Sequence, residues 1–326
     1  MSISGFRQKK TGSVIMEEKK GKLYVVGIGP GNYENMTLRA ANALKESDVI
    51  AGYTVYCDLV RDRFPDKEYI VTAMTGEEKR VGMALAAASE GKTVSLVCSG
   101  DPGVYGMAGL AITMAAEAAA EDAAADDGRP AGPRCDREAR PQARAVIEVE
   151  VIPGVTAALS GAALLGAPLI HDFCVISLSD RLTPMELIEK RLRLAAEADL
   201  GIVLYNPESR SRKGYLARAC DILSEKIEPT RVCGIVRNIG REGESMQVMP
   251  FSELREAKAD MFSTVFIGNS GTRNILGSMV TIRGYKSEKN ARTTRLAFLE
   301  AARSASSSCP CLCPLRGHDH KSEKSL

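Results

Sequence analysis

Between residues 22 and 285 the chain alternates short runs rich in β-branched residues with longer segments of helical spacing. That alternation restricts the fold more than any other feature. Segments 22–29, 48–51, 93–98 and 146–152 read as strands in the first half, and 172–178, 200–205, 231–236, 245–249 and 264–267 in the second. Apolar residues recur at helical spacing over 37–47, 76–90, 105–121, 184–198 and 215–227. Thr37 and Thr75 stand where N-caps belong, and Thr183-Pro184 offers a cap followed by a first-turn proline. Strands separated by helices pair through crossovers, so mainly parallel or mixed sheets covered by helices are expected. The reading is α/β, with domains 22–166 and 167–286 meeting near Gly166-Ala167-Pro168 and an active-site cleft between them.

Three segments fall outside this grammar. Residues 1–21 read as a disordered leader, 118–145 as a low-complexity insertion of alanine, acidic residues and proline, and 287–326 as a disordered tail. The tail holds Cys309, Cys311 and Cys313 close to His318 and His320, soft ligands whose C-x-C spacing differs from the usual zinc pattern. Disorder and metal binding both remain open for it, and the core is expected to need no metal.

Composition excludes several classes. No apolar run reaches the ~18 residues of a membrane span, and the N-terminus lacks the apolar core of a secretory signal, so a cytoplasmic protein without membrane contact is expected. The nine cysteines mostly lie singly within apolar stretches, the pattern of reduced buried thiols. The formal net charge of +2 conceals basic ends: residues 1–20 hold five Lys/Arg against two Glu, and 286–326 hold eight against four acids. Residues 21–285 are therefore net acidic. With only 5% aromatic residues, a nucleic-acid footprint is not expected.

Five loops follow strands. Gly27-Ile28-Gly29-Pro30-Gly31 would let a ligand approach the backbone, yet it departs from a dinucleotide fingerprint at Asn32 and at Pro30. By itself it is equally a tight turn. The segment from Ser99 to Gly106 lies at the carboxyl end of a hydrophobic strand, where open α/β sheets bind ligands, although Asp101-Pro102 could simply start a helix. Pro153 to Ala157, Tyr205-Asn206-Pro207 and Gly268-Asn269-Ser270 complete the set. Turns alone account poorly for all five.

Together, Gly27 to Gly31, Ser99 to Gly106, Ile152 to Thr156, Leu204 to Pro207 and Val236 to Gly243 resemble the tetrapyrrole methylases over residues 22–285, apart from the insertion. His171 to Phe173, Ile176 to Asp180, Thr183-Pro184 and Thr264 to Ser270 are similar to the subgroup acting on ring carbon 17 of precorrin-3B or cobalt-factor III in cobalamin biosynthesis. The resemblance implies the tetrapyrrole methylase fold, S-adenosylmethionine as methyl donor, methylation with ring contraction, and a homodimer. It places Pro30, Gly100, Asp101, Val104, Tyr105, Thr156, Ala157, Tyr205, Asn206, Val265 and Ile267 against the donor. A substrate with many carboxylates calls for cationic forks, and Arg181, Arg210, Arg212, Lys213, Arg237 and Arg241 are the candidates. Ring contraction moves protons, so His171 and Asp180 are candidate acid–base groups. Two other readings stand beside this one: a Rossmann-type nucleotide-dependent oxidoreductase, disfavoured because Ala51-Gly52 closes the second strand where an acidic residue belongs, and a non-catalytic binding protein.

Overall fold

The computed structural model describes residues 21–127, 147–209 and 212–284. In the first half the order is β1 (Lys22–Gly27), α1 (Leu38–Glu46), β2 (Val49–Tyr53), α2 (Thr54–Arg61), β3 (Glu68–Thr72), α3 (Glu77–Ser89), β4 (Thr93–Cys98), α4 (Ala108–Asp127) and β5 (Glu148–Ile152). The five strands form a wholly parallel sheet ordered β3-β2-β4-β1-β5. Its central strands are buried along nearly their whole length and largely apolar because helices cover both faces. Leu23, Val25, Val94 and Leu96 pack toward α3 and α4, while Val26, Ile50 and Val97 pack toward α1 and α2.

The second half comprises α5 (Ala157–Leu165), β6 (Gly166–Ala167), β7 (Phe173–Ser177), α6 (Met185–Glu197), β8 (Gly201–Tyr205), α7 (Tyr215–Leu223), β9 (Val232–Arg237), β10 (Ser245–Pro250), α8 (Phe251–Leu254), β11 (Ser263–Ile267), β12 (Thr272–Ile275) and β13 (Ser278–Thr281). Its main sheet is ordered β10-β9-β11-β8-β7 and is mixed. β7 and β8 run parallel, β11 runs against both β8 and β9, and β10 runs against β9. The carboxyl ends of β7, β8 and β9 therefore share one edge, and that of β11 lies at the other. A small third sheet joins β12, β13 and β6. The described residues up to Thr281 pack as one unit.

Several expectations change. Helix α5 lies within the segment expected to be the first domain, yet Ala158, Ala162 and Leu165 pack with Val203, Val236 and Phe266 of the second sheet. Gly161 permits this, since a Cβ there would meet the Phe266 ring at 2.8 Å. The crossover between sheets therefore falls just before Ala157, not at 166–168. Thr37 caps α1, accepting from Ala40 N at 3.1 Å. Thr75 does not cap α3; it is left-handed (φ 70°), and Gly76 holds the cap position. Pro184 is the N-cap of α6 and not its first residue. Helix α4 starts three residues later than expected because Tyr105 is left-handed (φ 53°). The strand and helix at 54–72, helix α5 and the hairpin β12–β13 had no counterpart in the sequence reading. The insertion expected over 118–145 begins inside helix α4, which runs on to Asp127; its remaining residues, Arg210 and the tail with its cysteines and histidines lie outside the described residues.

Candidate active site

Three loops converge at the carboxyl edge of the first sheet because their glycines allow backbone-to-backbone contact. Gly29 and Gly100 exchange hydrogen bonds, Gly29 N to Gly100 O at 3.2 Å and Gly100 N to Gly29 O at 2.7 Å. Both are left-handed (φ 75° and 67°), a conformation that costs glycine little. A Cβ on Gly27 would lie 2.6 Å from both Gly100 O and Gly154 N, so the ends of β1, β4 and β5 leave no room for side chains. Asp101 fixes two of the loops: Oδ1 accepts from Gly103 N at 2.8 Å and Oδ2 from Gly154 N at 3.0 Å. It caps no helix, since α4 begins seven residues later.

The second half meets these loops with side chains. Tyr105 reaches across to β7, its hydroxyl donating to Val175 O at 3.1 Å and accepting from Ser177 N at 3.1 Å. Its ring packs edge-on against Tyr205, with centroids 5.5 Å apart. The Tyr205 hydroxyl accepts from Ala158 N at 2.7 Å and shares a 2.6 Å hydrogen bond with Thr156 Oγ1. Asn206, left-handed at φ 52°, donates from Nδ2 to Ser177 Oγ at 3.0 Å. Burial pushes both phenols above their ordinary pKa, so they stay protonated and act as hydrogen-bonding groups rather than bases. Burial likewise pushes the Cys98 thiol up to about 11, which rules it out as a thiolate nucleophile.

The structure thus brings Pro30, Gly100, Asp101, Val104, Tyr105, Thr156, Ala157, Tyr205 and Asn206 to one junction. Val265 and Ile267 are a correction. Their side chains are buried in the core with Ile202, Leu204 and Ile235, since alternate residues of a central strand face the helices. Ile267 and the loop 268–270 also lie at the far edge, because β11 is antiparallel and pairs Ile267 with Ile202 at the start of β8. His171 is corrected for the same reason. It precedes β7, whose far end carries Ser177, roughly 20 Å away at strand rise. There it lines a cavity of about 300 Å³ with Asp199 and Ser270. That position sets it apart from the junction.

The cationic candidates divide. Arg181 and Lys213 are exposed. Arg237 pairs with Asp260 at 2.5 Å. Arg212 has a buried Nε without a hydrogen-bond partner. Arg241 is turned inward, donating from Nε to Pro30 O at 3.1 Å and from Nη2 to Ser99 Oγ at 3.0 Å, which makes it a tie between loops and not a surface fork. Asp180, after β7, accepts from Tyr215 Oη at 2.8 Å. Arg80 and Ser177 were not among the expected site residues. For Arg80 the signal was present: an arginine on the apolar stripe of α3, beside Val81, Ala84 and Leu85. Among the described residues no group of three or more His, Cys, Asp or Glu could hold a metal ion, and no helix is long and apolar enough to cross a membrane.

A wholly parallel sheet facing a mixed one, with glycine loops from β1, β4 and β5 against the ends of β7 and β8, is the architecture of one class of methyltransferase. The chain belongs to the Tetrapyrrole (Corrin/Porphyrin) Methylases, whose signature matches residues 22–124 and 135–255. It is therefore a methyltransferase, and the oxidoreductase reading falls. The chain is 40% identical over 263 residues to a probable cobalt-factor III C(17)-methyltransferase of Salmonella typhimurium, covering 81% of this chain and 99% of that protein. It is also 40% identical to a precorrin-3B C(17)-methyltransferase of Sinorhizobium sp., covering 78% and 91%. A longer relative, the cobalt-factor III methyltransferase of Priestia megaterium, is matched over 46% of its length. Among solved structures, the methyltransferase CobJ superposes with a TM-score of 0.68 at 36% identity, covering 80% of this chain and all of that one.

Proposed function

We propose that the chain transfers the methyl group of S-adenosylmethionine to ring carbon 17 of precorrin-3B or cobalt-factor III, with ring contraction, in cobalamin biosynthesis. The observation that carries this reading is the convergence of three glycine-containing loops on the edge where Tyr105, Tyr205 and Asn206 pack together. Such a cradle fits a donor recognised by backbone N–H and C=O groups: Gly27, Gly100 and Gly154 let the main chains of the three loops pack directly against one another at this edge. The donor supplies an activated methyl group, and displacement at its sulfonium needs alignment rather than a protein nucleophile. On this reading the loop 99–106 and Thr156 bind and orient it, while Tyr105 and Tyr205 close the junction to water. Asp180 holds or moves the proton of ring contraction, and Arg181 and Arg212 meet substrate carboxylates. The two sheets form two domains, and the protein works in the cytoplasm as a homodimer.

The experiment is transfer of labelled methyl to precorrin-3B and to cobalt-factor III in parallel, with product mass and ring-contracted absorbance as readouts. Methylation of either at carbon 17 is expected. Transfer only to another intermediate would reassign the enzyme within the pathway. A folded protein that binds no S-adenosylhomocysteine would overturn the donor assignment.

A further inference from the structure

Helix α3 carries a charge where its apolar stripe runs. Arg80 is 3% exposed, and its guanidinium donates from Nε to Thr72 Oγ1 at 2.7 Å, from Nη2 to Ala73 O at 2.9 Å and from Nη1 to Met107 Sδ at 3.3 Å. Every acceptor is neutral, and among the described residues Arg80 forms no ion pair. Arg241 repeats the pattern from the second half. It binds Pro30 O and Ser99 Oγ, lies over the rings of Tyr56 (5.9 Å) and Phe262 (5.5 Å), and likewise has no carboxylate partner among the described residues. Burial pulls its pKa below the ordinary arginine value.

Burying a guanidinium without an anion is costly, so a fold that buries Arg80 fully and Arg241 in part around one loop spends stability on something other than stability. The two arginines touch opposite ends of that loop: Arg241 holds Ser99, its first residue, and Arg80 holds Met107, its last. Between them lie Gly100 and Tyr105, both left-handed, the second a conformation that a tyrosine adopts only when its surroundings enforce it. A guanidinium suits the task because its planar fork reaches two or three acceptors at fixed angles, which an ammonium cannot do.

We infer that Arg80 and Arg241 are positioning residues of the methyl-transfer reaction, two guanidinium groups without counterions that grip the ends of loop 99–107 and hold its backbone in the shape that receives the donor. Arg80 grips from within the first half, and Arg241 from the second. The inference rests on the donor reading proposed above. Because Arg241 also ties loop 27–31, its loss should disturb donor binding and turnover together, whereas loss of Arg80 should act mainly on donor binding.

The test compares Arg241→Gln, Arg241→Lys, Arg80→Gln and Arg80→Lys with wild type. Calorimetry gives the Kd for S-adenosylhomocysteine, steady-state assays give KM for S-adenosylmethionine and kcat, and thermal melting controls for folding. Loss of one charge-assisted tie should weaken binding roughly tenfold or more in variants that melt within a few degrees of wild type. Lysine should not restore it, because one ammonium cannot span both acceptors. If Arg80→Gln does not fold, Arg80→Lys, which keeps the buried charge, decides that position. A Kd within twofold of wild type for the folded variants at both positions sinks the inference. A wild-type protein that itself fails to bind S-adenosylhomocysteine sinks the donor reading instead, so the two failures are distinct.

Discussion

The two halves build the same junction by opposite means. On the first sheet the loops after β1, β4 and β5 pack main chain against main chain, with glycines so close that a Cβ has no place, and the Asp101 carboxylate bridges two of them. On the second, the loops after β7 and β8 are fastened by hydroxyls and an amide from Tyr205, Asn206 and Ser177. The first side is thus sensitive to added atoms and the second to removed ones. The far edge of the second sheet, where β11 delivers Ile267, takes no part in either.

The largest expected effect is that of Gly154→Ala, whose methyl would overlap Gly100 O and lie 2.6 Å from Gly27 O. Both obstacles are main chain and cannot rotate away, so the cost should exceed about 3 kcal/mol in urea unfolding, the upper end of overpacking. An unchanged midpoint would break the claim that this side is backbone-built. Ile267→Ala should cost roughly 2–4 kcal/mol, as for other buried isoleucines, yet leave the affinity of the folded protein for S-adenosylhomocysteine intact. Weakened binding would return Ile267 to the pocket. Tyr205→Phe removes one hydroxyl serving two partners and should lower stability by about 1–2 kcal/mol, with a measurable rise in KM for the donor.

Smaller still is the pH effect at the far edge. Burial acts to raise the Asp199 carboxyl, but hydrogen bonds from Ser270 and the ion pair with Arg231 outweigh it and hold the pKa below the ordinary value. The folded state therefore gains stability that is fully present above about pH 4 and disappears as pH falls through the depressed pKa. Asp199 is largely solvated, so the gain should be under about 1 kcal/mol, and Asp199→Asn should flatten the acid limb of the stability curve by that amount. A variant with the same acid limb as wild type would show that the pair contributes nothing. His171→Ala should leave kcat within about twofold of wild type; a collapse of turnover would overturn its removal from the chemistry.

The alternation of strand and helix was legible because central parallel strands are apolar on both faces. The limits of β4, and those of α1 and α6 to within a residue at each end, follow from the residue pattern. The edge element β3 was not legible, since Glu68 to Thr72 is only half covered and mixes polar with apolar residues. Helix α5 escaped notice because Ala157 to Leu165 is apolar all round, the pattern of a helix wedged between layers. The converging loops could be found because glycine and proline at strand ends have a meaning that needs no partner. Direction was what could not be read. Val265, Ile267 and the 268–270 loop look like another strand followed by another ligand loop, and only pairing shows that β11 runs backwards. The grip of Arg241 on Pro30 joins residues 211 positions apart, which no local pattern encodes.

The Tyr105 hydroxyl has a second consequence. Strand β7 is an outer strand of its sheet, with a row of main-chain groups that no neighbouring strand among the described residues satisfies. Val175 O and Ser177 N point outward from it, and the phenol takes the place that a peptide group of an adjoining strand would occupy. A side chain that joins the two halves is therefore also a plug against strand addition. If the two halves drew apart, the same movement that opened the junction would uncover a sticky border, so keeping Tyr105 seated protects the chain from joining its own copies edge to edge.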